Sequence, residues 1–119
     1  MDAFGYRKLV VYIKAKEIVI HVYKLLKKFP KTEQYALCDQ LRRAAVSITS
    51  NIAEGTSRYS VKDKIYFLEI AFGSLMEVMS QLEIAFELDY IDADDLKSMD
   101  ILVMEESKVL SGLRRSLQT

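Results

Sequence analysis

The chain is poor in the residues that punctuate or cross-link a fold, with one proline, four glycines, one cysteine and one histidine among 119 residues. So few helix breakers leave room for long uninterrupted helices. A lone Cys38 excludes an internal disulfide, and a lone His21 excludes the clustered His/Cys sets of the usual zinc sites. No segment has the roughly 18 unbroken apolar residues that a membrane span needs, and no signal-peptide pattern opens the sequence. A cytoplasmic address without membrane contact is therefore the expectation. Lysine plus arginine balances aspartate plus glutamate at 17 each. Whole-molecule charge thus gives no push towards nucleic acid or anionic lipid.

What is present is a composition of 50% apolar and 29% charged residues, that of an ordered soluble protein. The length suits one domain spanning residues 1–119. Helical periodicity predicts four helices over about residues 6–28, 33–54, 61–89 and 93–117. With short connections between them, the fold class is all-α, an up-and-down antiparallel four-helix bundle.

The most informative stretch is Leu41 to Gly55, LRRAAVSITSNIAEG. At about 100° per residue, Leu37, Leu41, Ala44, Ala45, Ile48 and Ile52 form one narrow apolar stripe that faces a core. Opposite it, Gln40, Arg43, Ser47, Ser50 and Glu54 form a second stripe, polar and mostly short-chained, with Asn51 on its border. Small residues let a neighbouring helix approach closely, and hydroxyl, amide and carboxylate groups can hydrogen-bond across the gap. The stripe is either an inter-helix contact or a solvated face. On the third helix Ser74, Glu77 and Gln81 lie between the core and solvent faces. A short turn makes helices two and three antiparallel, so a partly buried Arg43–Glu77 ion pair is expected.

In the first helix, His21 falls on the wet side and reads as a surface histidine. Leu9, Ile13 and Ile20 form a ridge outside the main apolar face, a candidate subunit contact. Lys24, Lys27, Lys28 and Lys31 make the strongest local basic patch, which suits either the helix dipole or nucleic acid. Phe29-Pro30 stops this helix. Gly55 stands where a C-terminal cap would take positive φ. Ser60 with Asp63, and Asp92 with acids after it, are N-terminal caps. In the last helix Glu106 interrupts the seam of Leu96, Met99, Val103, Leu110, Leu113 and Leu117, so an arginine, tyrosine or lysine partner is expected beside it. Arg114, Arg115 and the residues after them are expected to fray into solvent.

Several chemistries fail on residue type. Di-iron bundles need Glu-x-x-His pairs from two helices, no glycine-rich phosphate loop is present, and Cys38 lacks an activating dyad. A Glu54–Glu77 carboxylate pair would have neither histidine nor nucleophile beside it. No catalytic residue, cofactor site, metal site or small-molecule substrate is assigned.

The run YALCDQLRRAAVSITSNIAEG, followed by YFLEIAFGSLMEVMSQLEIAFELDYI, resembles the four-helix-bundle family of proteins encoded within intervening sequences of bacterial 23S ribosomal RNA genes. The resemblance covers nearly the whole chain, including Phe29-Pro30. It is most specific at Arg43-Ala44-Ala45 through Ser47, at Ser50 to Gly55, and at Ile70-Ala71 through Gly73-Ser74-Leu75 to Glu77. It implies a cyclic homopentamer of uncharacterised activity. The family's signature residues match Arg43, Ser47, Ser50, Asn51, Glu54, Ser74 and Glu77 here. A related branch, the accessory protein of diversity-generating retroelements, engages nucleic acid and a reverse transcriptase through a basic surface, and the zero net charge here departs from it. The expectation is a non-enzymatic, homo-oligomeric interaction scaffold associated with RNA or a ribonucleoprotein. The alternatives are a nucleic-acid-binding accessory factor of the reverse-transcriptase-partner type and a pure protein-protein adaptor.

Overall fold

The computed structural model describes residues 4–118; residues 1–3 and 119 of the expected 1–119 domain lie outside them. Four α-helices follow one another: α1 (Val10–Leu26), α2 (Leu37–Thr56), α3 (Val61–Glu87) and α4 (Ala93–Gln118). They form an antiparallel bundle measuring 44 × 24 × 24 Å, long along the helix axes because α3 alone rises about 40 Å at about 1.5 Å per residue. Two short 3-10 turns, Gly5–Lys8 and Lys31–Glu33, precede α1 and α2.

These turns account for the late starts of the first two helices relative to the periodicity. Leu9 is extended, with φ −72° and ψ 134°, and its carbonyl accepts from the Tyr12 and Ile13 amides, so the regular helix begins at Val10 rather than Tyr6. After Phe29-Pro30, Ala36 again departs from helical geometry, and the Leu37 amide is met by Glu33 Oε2 at 3.3 Å. The two later starts follow the expected caps. Ser60 Oγ accepts from the Asp63 amide at 3.1 Å. Asp92 Oδ1 accepts from the Asp95 amide at 2.8 Å while Asp95 Oδ2 accepts from the Asp92 amide at 3.1 Å, a reciprocal capping box. At the end of α3, Asp89 takes a left-handed φ of 63°. The Tyr90 and Asp89 amides then return to the Ala85 and Phe86 carbonyls, closing the helix with a Schellman motif.

The core runs the length of the bundle. Ile18 and Val22 of α1, Leu41, Ile48 and Ile52 of α2, Leu75, Val78 and Leu82 of α3, and Met99 and Leu110 of α4 are almost completely buried. Each such aliphatic side chain contributes about 1.5–3 kcal/mol by leaving water. By length and composition α3 is apolar enough to cross a bilayer. Its seven buried residues, Leu68 to Ala85, are packed against the bundle instead. On its other side Tyr66, Phe72, Met76 and Ile84 remain exposed, as does Leu88 just past its end.

Gly55 differs from its expected role. It lies inside α2, no glycine among the described residues has positive φ, and the reason for glycine is proximity. A Cβ there would stand 2.8 Å from the Phe67 Cβ and 3.3 Å from the Lys64 carbonyl oxygen. α2 and α3 thus touch backbone to side chain just before the connection of residues 57–60. Replacing Gly55→Ala should push the helices apart and destabilise the fold by about 1–3 kcal/mol, read as a lower urea midpoint with an unchanged m-value.

Candidate functional site

Helices α2 and α3 approach closely because the residues between them are small. Ala44 and Ala45 of α2 and Ala71 and Ala85 of α3 are buried. At the centre of the contact the Ser74 hydroxyl, itself buried, donates to Ser47 Oγ at 2.8 Å. Asn51 Nδ2 donates to the same oxygen at 3.0 Å and to the Ser47 carbonyl at 2.8 Å. Serine and asparagine thereby form one polar junction between two helices, in place of three unsatisfied groups.

The remainder of the polar stripe is open. Arg43 and Glu77 line one groove with Gln40, Ser47, Ser74 and Gln81, a depression of about 390 Å³. They do not form the expected ion pair. Arg43 Nε reaches Asp39 Oδ2 at 3.1 Å, one turn back on its own helix, and its side chain is 80% exposed. A local i,i+4 partner costs less side-chain entropy to engage than a carboxylate across a groove. Sequence periodicity contained Asp39 at that spacing, and it was the partner overlooked. Arg42 Nη2 is likewise used locally, donating to the Gln34 carbonyl at 2.8 Å. Glu54 pairs with Arg58 at 3.3 Å. It sits eleven residues along α2 from Arg43, about 16 Å at the helical rise, so Glu54 and Glu77 are not a dyad. Ser50 is exposed. Gln81 Oε1 is buried in the groove with no hydrogen-bond partner among the described residues.

Lys28, the centre of the expected basic patch, is bound to Asp95 Oδ2 at 2.7 Å. This hydrogen bond raises the lysine's pKa. Lys24, Lys27 and Lys31 are exposed beside it, yet the chain reversal at this end also carries Asp89, Asp92 and Asp94. The patch is therefore interleaved with acids. Among the described residues no group of three or more His, Cys, Asp or Glu is placed to hold a metal ion. Cys38 is buried, and burial pushes its thiol pKa up, away from thiolate. At the other end α4 stays helical to Gln118, and Arg114 does not fray but bridges to Glu69 of α3 at 2.8 Å.

Glu106 is completely buried in the α4 seam, and neither carboxylate oxygen has a hydrogen-bond partner among the described residues. The expected basic neighbour exists without reaching it. Lys14 of α1 attracts the carboxylate through space, but its ammonium is hydrogen-bonded to Glu105 Oε2 at 3.1 Å. Burial, with a smaller repulsion from Glu17, outweighs that attraction and pushes the Glu106 pKa up to about 8. The side chain is consequently neutral at pH 7.

A model of the 23S rRNA-intervening sequence protein family matches residues 7–112. The fold is also similar to the crystal structure of a protein of unknown function from the S23 ribosomal protein family of Bacteroides thetaiotaomicron VPI-5482. That likeness has a TM-score of 0.79 and 27% identity, and covers 88% of this chain and 98% of the other. No curated protein matches the chain.

The buried acid gives stability a defined pH dependence. Between the unfolded carboxyl's 4.5 and the folded value of about 8, the unfolded chain binds fewer protons. Stability must then fall as pH rises through that window and level off above it, by at most about 5 kcal/mol. Below pH 4.5 the penalty vanishes. In Glu106→Met, which keeps the volume and removes the charge, denaturation midpoints measured between pH 5 and 9 should lose this slope and exceed wild type at pH 8.

Proposed function

The chain belongs to the 23S rRNA-intervening sequence protein family, and from that premise we propose that it is a homo-oligomeric interaction scaffold whose subunits meet through the outer face of α2 and α3. The observation that carries this reading is the composition of that face. Arg43, Ser50 and Glu54 on α2 and Glu77 on α3 are exposed beside the sealed Ser47–Asn51–Ser74 junction. Val46 on α2, Ile84 on α3 and Leu88 just past the end of α3, all large and apolar, are exposed on the same side. Glu77, Ile84 and Leu88 share one helical stripe at i, i+7, i+11 spacing. Small polar residues flanked by aliphatic ones suit a second copy of the chain, because helices can approach closely while amides and charges find partners. An exposed aliphatic row gives a lone monomer nothing.

A five-subunit ring, the assembly implied by the sequence resemblance, is the form we assign, with a cytoplasmic, non-enzymatic role and RNA or a ribonucleoprotein as the associate. Nothing in the polar groove supplies a nucleophile and base in contact, which supports binding over catalysis. A pure protein-protein adaptor remains the second reading, favoured by the apolar residues of α3 and distinguished by a partner retained at high salt.

Light scattering on the purified chain should give a mass about five times 13.7 kDa. The double variant Val46→Asp, Ile84→Asp should run as a folded monomer with an unaltered helical circular dichroism spectrum. A monomeric wild type would overturn the assembly, and an unperturbed variant would move the interface elsewhere.

A further inference from the structure

An up-and-down bundle brings the start of α1, the end of α2, the start of α3 and the end of α4 to one end, and here the charge is sorted by that topology. Lys8, Arg58, Lys62, Lys64, Arg114 and Arg115 lie at this end. The acids there are Asp63, in the first turn of α3, and Glu54 and Glu69, engaged by Arg58 and Arg114 respectively. The opposite end carries Glu87, Asp89, Asp92, Asp94, Asp95 and Asp100 around the α3–α4 connection. A formal charge of zero thus hides a molecule with one basic end, while the opposite end interleaves these acids with Lys24, Lys27, Lys28 and Lys31.

The basic end is also aromatic. Tyr59, in the connection between α2 and α3, is fully exposed, and Tyr66 is 59% exposed one turn into α3. Phe4 and Tyr6 line a mainly apolar groove of about 600 Å³ with Leu9, Thr56 and Ser57. The Arg58 guanidinium already lies 4.8 Å from the centre of the Phe67 ring, a flat cation held in place. Arginine stacked on one aromatic face, open tyrosines and exposed lysines such as Lys8 and Lys62 are the parts that hold single-stranded nucleic acid, where phosphates meet cations and bases stack on rings. An anionic membrane would use the charges but leave the isolated exposed tyrosine at the loop tip without a reason.

We propose that the basic, tyrosine-bearing end of the bundle is a binding surface for single-stranded RNA. The proposal rests on the scaffold reading above and places its RNA contact at the end opposite the Lys24–Lys31 patch, the candidate nucleic-acid contact of the sequence. In a ring of copies the same end of each subunit repeats, so modest contacts add through effective concentration.

The test is fluorescence anisotropy of the full chain with a labelled twelve-nucleotide oligouridine, with the solution mass recorded for every sample. Binding should weaken about fiftyfold between 50 and 200 mM salt if about four phosphates are engaged. The triple variant Lys8→Glu, Lys62→Glu, Arg115→Glu should weaken it by more than about tenfold at constant salt. Tyr59→Ala should weaken it about tenfold by loss of stacking. Lys24→Glu with Lys27→Glu, at the other end, should leave it within about twofold. Absence of binding to oligouridine, binding only to phosphatidylserine vesicles, or equal affinity in the triple variant would overturn the proposal. A chain that assembles but fails to bind refutes this surface alone, whereas a monomer that binds refutes the assembly alone.

Discussion

The closeness of α2 and α3 is the constraint on which the rest of the molecule depends. Gly55 leaves no room for a Cβ against Phe67, and further along the pair Ser47 and Ser74 meet hydroxyl to hydroxyl at 2.8 Å. Helices held this near cannot interpose large side chains, so the aliphatic bulk of both is directed inward to α1 and α4 or outward to the surface. The inward part is the core of Leu41, Ile48, Ile52, Leu75 and Leu82. The outward part is Val46, Ile84 and Leu88. One packing decision thereby produces both the stable bundle and the face assigned to assembly.

The other two helices are tied on by different means. Lys14–Glu105 links α1 to α4, Lys28–Asp95 links the turn after α1 to α4, and Glu69–Arg114 links α3 to α4. These pairs are solvent-exposed to varying degrees and individually weak. Their value is positional, since each joins a residue to one far away in sequence. Next to the first of these contacts along α4 lies Glu106, a carboxyl kept neutral by its surroundings and unserved by Lys14, whose ammonium is occupied by Glu105. Burial of Glu106 in the α1–α4 seam ties the stability of this layer of the core to pH.

Most of the fold was legible because the sequence signals were local. Ser60 and Asp92 marked helix starts through side chains that cap their own backbone, and both caps are formed. Ser47, Asn51 and Ser74 were recognisable as contact residues because small polar groups at helical spacing suit a close neighbour. The misreadings arose where several partners competed for one side chain. Arg43 had Asp39 available locally and chose it over Glu77. Lys14 had Glu105 and left Glu106 alone. Gly55 looked like a cap because periodicity cannot distinguish a residue needed for its dihedral freedom from one needed for its lack of volume. The basic patch of Lys24 to Lys31 was conspicuous because it is contiguous, whereas the larger collection at the other end is dispersed over the turn before α1, the α2–α3 connection, α3 and α4, and becomes visible only once the helices are paired.

An even number of antiparallel helices brings a chain back to the side from which it set out. Residue 4 and residue 118 are accordingly both found on the side where Lys62 and Tyr59 reside. A purification tag or fluorescent protein fused to either terminus would overhang that surface, while one inserted at the Pro30 bend would hang from the far side. Joining the two ends through a short linker and reopening the chain at Pro30 would give a permuted bundle with the same helix neighbours and its new ends on the side away from Lys62 and Tyr59.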